Sequence, residues 1–322
     1  MVLTAGLGSR LRPLSLVRAK PAVPVAGTPL VGRILRWLAA AGVRDAVLNL
    51  HHRPETITAA VGDGSAFGVH VRYSWEQPVL GSAGGPARAL PLLASPRFWL
   101  INGDTMTDVD LAAMARQHVA SGAKVTMALV PNPDPAHYGG VSLSPEGAVT
   151  GFTPRGPENR GWHFIGVQAV DAEVFASLDP TVPADSVNGR YRDMLARTPG
   201  AIRGVVREAS FHDIGTAADY LETSLSFARR EGNAGALVGA SCAIAADARL
   251  EDCVLWDRVT IGHGAALSRC VVADDAHVPA GAVFADRVIV PLADRVPGPG
   301  EAVDGQLLVA PIDAHRRKDH SR

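Results

Sequence analysis

Near its start the chain reads Leu3-Thr4-Ala5-Gly6-Leu7-Gly8-Ser9-Arg10-Leu11-Arg12-Pro13-Leu14, a short apolar run that turns into a glycine-containing loop with two arginines. Glycines allow backbone N–H groups to approach a polyphosphate closely, and arginines add fork-shaped, charge-assisted donors. Two familiar phosphate-binding motifs do not match, because a Rossmann fingerprint needs a third glycine where Leu11 stands and a P-loop needs Gly-Lys-Ser/Thr. The stretch predicts a strand that feeds a phosphate-binding loop of another kind.

The first two-thirds of the chain alternates apolar, strand-like runs with helical patterns, which is typical of βα units stacked on a mainly parallel sheet. Predicted strands cover Val2–Thr4, Ala46–Leu50, Val69–Ser74, Phe98–Asn102, Val125–Val130 and Ile202–Val206, with short strands between Val141 and Val170. Predicted helices cover Val31–Ala41, Pro54–Val61, Gly85–Leu93, Asp110–Ser121, Glu173–Leu178, Ser186–Ala196 and Ala217–Arg229. We therefore predict a Rossmann-like α/β domain over residues 1–232.

A repeat with a period of 17 residues begins after Gly232. Its apolar registers are Val238, Leu255, Val272 and Ile289, then Ile244, Ile261 and Val278, then Leu250, Leu267 and Phe284. Within each period the apolar residues recur about every six positions, as in three-sided coils of hexapeptide type. We predict a short left-handed parallel β-helix over residues 233–291, whose coils bury their corners only by stacking.

The remaining composition constrains the partners and the setting. A formal charge of −1 gives no indication of a nucleic-acid or membrane partner, and no apolar run is long enough to span a bilayer. The three cysteines lack metal-ligand spacing, so we expect a reduced, cytoplasmic setting, with Cys253 and Cys270 stacked in one register. Residues 292–322, which end in the basic run His315-Arg316-Arg317-Lys318, are expected to form a solvated tail.

The opening loop is followed by a second motif, Lys20-Pro21-Ala22-Val23-Pro24-Val25-Ala26-Gly27-Thr28-Pro29-Leu30. Together the two motifs resemble the family of sugar-1-phosphate nucleotidyltransferases, or NDP-sugar pyrophosphorylases, which open with a GxGxRLxPLT-like loop and KPxxPVxxxPL. Ser15 stands in place of the usual Thr. The resemblance implies synthesis of an NDP-sugar and pyrophosphate from an NTP and a sugar 1-phosphate.

The resemblance also assigns phosphate-binding residues. It implies that the NTP phosphates are held by the loop backbone and by Arg10, and that Lys20 contacts the phosphate region during transfer. The loop residues concerned are Ala5, Gly6, Gly8, Ser9 and Arg10.

A second segment, Leu80-Gly81-Ser82-Ala83-Gly84-Gly85-Pro86, resembles the family's LGTAG segment, which lies against the base and ribose. It follows a predicted strand and precedes a predicted helix. The backbone of Gly81, with neighbouring Glu76 or Gln77, is expected to read the base edge. Taken alone, a glycine cluster before a helix is more often a plain loop.

Two aspartates are candidate metal ligands. Asp104 follows the predicted strand Phe98–Asn102, and the carboxyl ends of strands in open α/β sheets are where ligands collect. In the family this aspartate binds Mg²⁺ together with the one in a later segment, which Phe211-His212-Asp213-Ile214-Gly215-Thr216 resembles. Mg²⁺ accepts one or two carboxylates plus phosphate oxygens and water. The alternative is that Asp104 caps a turn and Asp213 caps the following helix, while Asp108 is a weaker candidate expected to be an N-terminal helix acid.

The sugar side matches the family less closely. Tyr138-Gly139-Gly140-Val141 resembles the YGxV segment, and Phe164-Ile165-Gly166-Val167 resembles the N-A-G-I/L-Y segment, with Phe164 where Asn is common. Gly140 and Gly166 are thereby expected to meet the sugar phosphate. The family's Glu-Lys-Pro is absent, and Arg155 of Phe152-Thr153-Pro154-Arg155 either replaces its lysine or lies in a solvated loop.

The whole chain most resembles mannose-1-phosphate guanylyltransferases, so GTP and mannose 1-phosphate are the expected substrates and Mg²⁺ the expected cofactor. A UTP- or dTTP-dependent transferase is one alternative, and a catalytically silent, NDP-sugar-binding regulatory subunit is another. An acyltransferase activity of the β-helix is disfavoured because His263 and His277 share no register. The coils are expected to form subunit contacts in a homo-oligomer.

Overall fold

The structure is a computed structural model that describes residues 1–233 and 235–312. The chain divides into two compact units. The first joins Met1–Gly6 to Val31–His212, and the second joins Leu7–Leu30 to the chain from Asp213 onward. The boundary predicted at Gly232 stays a prediction, since the compact units cut across it.

The first unit is built on a seven-stranded sheet. Its strands are β1 Val2–Leu3, β2 Asp45–Leu50, β3 His70–Trp75, β4 Arg97–Asn102, β5 Val125–Val130, β6 His163–Asp171 and β7 Ile202–Val206. Their spatial order is β7-β5-β6-β4-β1-β2-β3. All neighbours are parallel except β6, which runs antiparallel to both β4 and β5. The predicted mainly parallel sheet is confirmed.

Helices alternate with these strands. They are α1 Leu30–Ala40, α2 Pro54–Val61, α3 Gly81–Leu93, α4 Leu111–Ser121, α5 Glu173–Ala176, α6 Tyr191–Arg197 and α7 Ala217–Arg230. A π-helical turn, Ser186–Arg190, precedes α6. Among the helices of residues 1–233 and 235–312, none combines the length and the apolarity needed to cross a bilayer.

The start of α3 differs from the prediction, since the helix begins at Gly81 rather than Gly85. The glycine cluster therefore lies inside the helix and not in a loop before it. Close packing explains the glycines: a Cβ at Gly84 would lie 2.7 Å from the Val182 carbonyl oxygen, and one at Gly85 would lie 2.6 Å from a carboxylate oxygen of Glu76.

The main core of the first unit lies between the sheet and the helices α3, α5 and α6. Leu100 and Met127 from the strands pack in one buried cluster with Ala87, Phe175 and Tyr191 from the helices. This cluster fixes β4, so the residues that follow Asn102 start from a rigid support.

The second unit contains a three-sided coil of parallel strands. One side stacks Leu237–Val238, Val254–Leu255, Val271–Val272 and Arg287–Pro291, the second stacks Ala243–Ile244, Thr260–Ile261 and His277–Val278, and the third stacks Arg249–Glu251, Ala266–Ser268 and Val283–Ala285. Val238 pairs with Leu255, Leu255 with Val272, and Val272 with Ile289. The predicted 17-residue registers are confirmed as strand pairings of a parallel β-helix.

The expected solvated tail is wrong for Leu292–Ile312. Strands Ala302–Asp304 and Leu307–Pro311 add antiparallel to the first side of the coil, and Leu307 is buried in its core. These residues lack the 17-residue period, so the repeat did not reveal them. The basic run His315-Arg316-Arg317-Lys318 lies outside the described residues.

Candidate active site

The carboxyl ends of β1 and β4 bring Asp104 to the start of the glycine loop. The strands are parallel neighbours, with Leu3 opposite Asn102, and the Gly103 N–H donates to the Leu3 carbonyl oxygen at 3.0 Å. A Cβ at Gly103 would overlap that same oxygen, so only glycine allows this approach. Asp104 is half-buried at this edge, where ligands collect in open α/β sheets.

A buried polar network supports the same edge from β2. The Asn49 side chain accepts from the Thr4 N–H at 2.7 Å and donates to Glu76 at 2.7 Å. The other Glu76 oxygen accepts from the Leu80 N–H at 2.8 Å. Asn49 was missed in the sequence, although a polar residue inside the apolar run Ala46–Leu50 was a signal for it.

This network changes the expectation for the base-binding segment. Both carboxylate oxygens of Glu76 are engaged and the side chain is buried, whereas Gln77 is exposed. Of the two alternatives, this arrangement favours Gln77 as the residue that reads a base. Gly81 has a φ of +74°, and a Cβ there would lie 2.8 Å from the Ala184 carbonyl oxygen, so its backbone position is fixed.

The rest of the loop lies in the second unit. Ser9 is exposed and begins a short 3-10 turn, Ser9–Leu11. Gly8 has a φ of +61°, and a Cβ at this position would lie 3.3 Å from the Cβ atoms of Lys20 and Ser15. The turn at Gly8 therefore packs directly against Lys20, which is buried. The structure brings together the predicted glycine turn and the predicted lysine.

Arg10 and Asp213 meet around Gly215. A Cβ at Gly215 would lie 3.2 Å from an Arg10 guanidinium nitrogen and 3.6 Å from an Asp213 carboxylate oxygen. The helix-cap alternative for Asp213 is wrong, because Thr216 caps α7 in a capping box with Asp219. In such a pair the arginine is suited to bind a phosphate group, and the carboxylate is suited to bind a metal ion next to it.

Asp108 also differs from the expectation. The helix acid of α4 is Asp110, whose side chain accepts from the Ala113 N–H at 2.9 Å. Asp108 instead accepts from the Ser210 N–H at 2.8 Å, while Thr107 donates to the Ser210 carbonyl oxygen at 2.7 Å. These bonds hold Ser210 beside Thr107 and Asp108 within the first unit.

The donors present suit a magnesium ion shared with a substrate. Asp104 and Asp213 offer carboxylate oxygens, which are ligands that Mg²⁺ prefers, with phosphate oxygens and water completing the shell. Within the described chain no group of three or more His, Cys, Asp or Glu side chains is arranged to hold a metal. Each of these carboxylates is, by its chemistry, the kind of ligand that Mg²⁺ takes together with phosphate oxygens.

The predicted sugar-side glycines occupy crowded positions. Gly166, with a φ of +77°, faces Asn102, whose side-chain atoms would lie 2.7 Å from an added Cβ. Because Asn102 ends β4, this places Gly166 close to the strand that supports Asp104. Gly140 faces Asn159, whose side chain donates to the Tyr138 carbonyl oxygen at 3.0 Å, and Arg155 is exposed.

An aromatic cluster that the sequence analysis missed adjoins the sugar-side segments. Tyr138 packs 4.2 Å from His163 and His163 packs 5.0 Å from Phe211, both measured between ring centroids. His137 contacts the edge of Tyr138 at 4.5 Å. Burial, aided by the charge of His137, lowers the pKa of His163 to about 4, so this imidazole is neutral at pH 7.

Comparison with known proteins shows what this chain is similar to. A family model described as nucleotidyl transferase matches residues 1–230, and one described as GlmU-like, C-terminal hexapeptide matches residues 232–286. The chain is 30% identical over 299 residues to the mannose-1-phosphate guanylyltransferase of Mycobacterium tuberculosis, covering 88% of this chain and 82% of that relative. It is 38% identical over 182 residues to the N-acetylmuramate alpha-1-phosphate uridylyltransferase of Neisseria meningitidis, covering 56% and 78%. The fold is similar to that of HddC from Yersinia pseudotuberculosis, with a TM-score of 0.61 and 23% identity, over 70% of this chain and 97% of that one.

Proposed function

This chain belongs to the nucleotidyl transferase family as a sugar-1-phosphate nucleotidyltransferase, and we propose that its substrates are GTP and mannose 1-phosphate. The products are then GDP-mannose and pyrophosphate. The mycobacterial guanylyltransferase supports this choice, because the similarity to it extends over both the catalytic and the hexapeptide parts of the chain. The meningococcal uridylyltransferase supports a second candidate, a reaction of UTP with an N-acetylated sugar phosphate.

One observation carries the proposal: the Gly103–Leu3 contact brings Asp104 to the strand end from which the glycine loop departs. The phosphate oxygen of the sugar attacks the α-phosphorus of the NTP, a new P–O bond forms, and the bond to the β-phosphate breaks to release pyrophosphate. The nucleophile is already an anion, so no base has to remove a proton. Catalysis then consists of positioning and charge neutralisation.

We assign charge neutralisation to the loop and its neighbours. Backbone N–H groups of Ala5, Gly6, Gly8 and Ser9 bind the NTP phosphates, while Arg10 and Lys20 stabilise the departing pyrophosphate. Asp104 and Asp213 would hold Mg²⁺, which when bound would neutralise phosphate charge. Gly140, Gly166 and Arg155 remain the proposed contacts for the sugar phosphate, and Gln77 with Gly81 the proposed contacts for the base.

The proposal extends to assembly and location. The hexapeptide coils support a homo-oligomer, since such domains suggest oligomerisation. The free thiols of Cys242, Cys253 and Cys270 support a reducing, cytoplasmic setting.

The test is pyrophosphate release by the full chain, with Mg²⁺, across ATP, CTP, GTP, UTP and dTTP combined with a panel of sugar 1-phosphates. We expect GTP with mannose 1-phosphate to give the highest kcat/KM. The highest kcat/KM with UTP and an N-acetylated sugar phosphate would select the second candidate. Binding of an NDP-sugar without turnover of any pair would overturn both candidates and identify a silent subunit.

A further inference from the structure

We propose that the β-helix positions the phosphate-binding loop, and that Asp274 is the principal positioning residue. The proposal rests on the proposed function only in calling Leu7–Leu30 a phosphate-binding loop. That loop belongs to the same compact unit as the β-helix, although more than 200 residues separate them in sequence. Three sets of contacts within this unit hold the loop.

The first set is an ion cluster around Arg18. Its Nε and Nη2 atoms donate to the two carboxylate oxygens of Asp274, both at 2.7 Å, and Nη2 also donates to Asp257 at 2.6 Å. Asp257 and Asp274 are 17 residues apart and lie on successive coils. Asp274 additionally accepts from the Asp257 N–H at 3.0 Å, so the acceptors of Arg18 are themselves fixed.

The Arg18–Asp274 pair is largely shielded from water, whereas Asp257 is 34% exposed. The side chains of Arg18 and Asp274 are 18% and 9% exposed. The Arg18 guanidinium also lies 5.3 Å from the ring centroid of Trp256, which is fully buried. A bidentate pair that is shielded in this way fixes the orientation of the Arg18 guanidinium as well as its distance from Asp274, which an exposed surface pair does not.

The second set holds the loop on the other side of Lys20. The Trp256 indole N–H donates to the Tyr220 hydroxyl at 2.8 Å, and that hydroxyl donates to the Pro24 carbonyl oxygen at 2.5 Å. Trp256 belongs to the β-helix and Tyr220 to α7. Lys20 therefore lies between two anchored positions, Arg18 and Pro24.

The third set comes from the chain beyond the hexapeptide repeat. Arg12 donates from Nε and Nη2 to the two carboxylate oxygens of Glu301 at 3.2 and 3.3 Å. The Glu301 side chain is itself fixed by the Gly298 N–H at 2.7 Å. Arg12 is two residues after Arg10, just as Arg18 is two residues before Lys20.

These contacts matter for catalysis because the proposed transfer depends on the position of the phosphate ligands in this loop. A misplacement of about 1 Å is enough to cost about a hundredfold in rate when a reaction depends on positioning. The β-helix is thus a scaffold for the loop within one chain, independently of any subunit contact it makes.

The chain offers a matched control for the test. Asp275 also accepts a bidentate pair from an arginine, Arg258, at 2.7 and 2.8 Å, but that arginine belongs to the β-helix and not to the loop. We compare full-length Asp274→Asn with Asp275→Asn. An asparagine at 274 keeps the size of the side chain but loses the negative charge and presents an N–H group to Arg18.

The deciding measurement is amide hydrogen exchange of residues 7–30 in the nucleotide-free protein. We expect Asp274→Asn to accelerate exchange in this segment at least tenfold, and Asp275→Asn to leave it unchanged. In parallel, kcat/KM for the NTP is expected to fall at least tenfold in Asp274→Asn, with Arg18→Lys intermediate because an ammonium keeps the charge without the fork. Thermal unfolding of each variant identifies a general loss of stability.

Unchanged exchange in Asp274→Asn, or equal acceleration in both aspartate variants, would overturn the positioning role. If Asp274→Asn does not fold, Glu301→Gln provides the same test through Arg12. Exchange does not depend on turnover. A wild-type protein without activity on any substrate pair would therefore contradict the proposed function while the exchange result still decides this inference.

Discussion

At the residue scale, glycines allow close approaches beside the side chains that are proposed to carry the chemistry. Gly103 must lack a Cβ for its N–H to reach the Leu3 carbonyl oxygen, and Gly215 lies where Arg10 and Asp213 converge. Asp104 follows the strand end beside Leu3, and Asp213 lies near Arg10 at Gly215. Substitutions that keep shape and remove charge therefore test function without disturbing packing.

Asp104→Asn is expected to fold normally, because the side chain keeps its size and the surrounding side chains are unchanged. Its kcat is expected to fall at least about a hundredfold, because the charge that would hold Mg²⁺ is removed. Pyrophosphate release at saturating substrates measures this. Asp110→Asn is the matched control, because asparagine caps a helix as well as aspartate does. Wild-type turnover in Asp104→Asn would contradict the metal assignment.

His163 gives a second test, of stability against pH. Its pKa is about 4 in the folded protein and 6.5 in an unfolded chain, so as pH falls below 6.5 the unfolded state takes up a proton that the folded state does not. The free energy of unfolding is therefore expected to decrease between pH 6.5 and 4, by about 3 kcal/mol at most. His118, whose pKa burial also lowers, acts in the same direction.

His163→Phe keeps the ring against Tyr138 and Phe211 and removes the titration. We expect the free energy of unfolding of this variant, measured in urea, to decrease less than that of the wild type over the same pH range. If the free energy of unfolding decreased equally with pH in both proteins, the titration of His163 would not contribute to stability.

How far the site could be predicted differs from residue to residue. The glycines, Arg10, Lys20 and the aspartates form spaced motifs that can be recognised. Asn49 could have been found only as a polar interruption of an apolar strand. Glu76 or Gln77 was expected to read a base, but the two Glu76 carboxylate oxygens accept from Asn49 and from the Leu80 N–H. Hydrogen bonds between segments that are distant in the chain produce no recognisable pattern of residue spacing in the sequence.

At the scale of elements, periodic patterns were read correctly where one period extends over a whole element. Pro54–Val61, Val125–Val130 and Ile202–Val206 have the predicted bounds, and the 17-residue registers appear as strand pairs. One start was predicted four residues too late and one strand was missed, because tertiary contacts decide both. Helix α3 includes glycines that its neighbours require, and Leu307–Pro311 is a strand because it pairs with Arg287–Pro291.

The stacking of coils predicts where the β-helix is sensitive. Leu267 is 2% exposed and pairs with Leu250 and Phe284 on the coils before and after it. Leu267→Ala is expected to lower the free energy of unfolding by about 2–5 kcal/mol, through lost burial and a cavity. Val283→Ala, at a position 76% exposed in the same stack, is expected to change it by less than about 0.5 kcal/mol. Equal midpoints in urea for the two variants would mean that the coils do not share one core.

At the scale of the whole molecule, the β-helix has two kinds of surface with different consequences. One kind contacts the loop Leu7–Leu30 and belongs to the positioning role. The other is the first coil, where within residues 235–312 the strands Leu237–Val238 and Ala243–Ile244 have a partner strand on one side only. Exposed strand edges are templates for pairing with another chain. The apolar residues Val238 and Ile244 are exposed on this coil, which makes it the surface where we expect subunit contacts.

The double variant Val238→Lys with Ile244→Lys is therefore expected to reduce the mass of the particle in solution from a multiple of the chain mass toward that of one chain. Lysine on an edge opposes pairing by its charge. Val119→Lys on α4 is the control, since Val119 is 61% exposed but lies in the first unit. Light scattering after size exclusion measures the mass, and pyrophosphate release is followed in the same fractions.

Because the loop is positioned by contacts within one chain, a dissociated subunit is expected to keep its activity. An unchanged mass would locate the interface elsewhere, and a dissociated but inactive subunit would mean that catalysis needs the assembly itself.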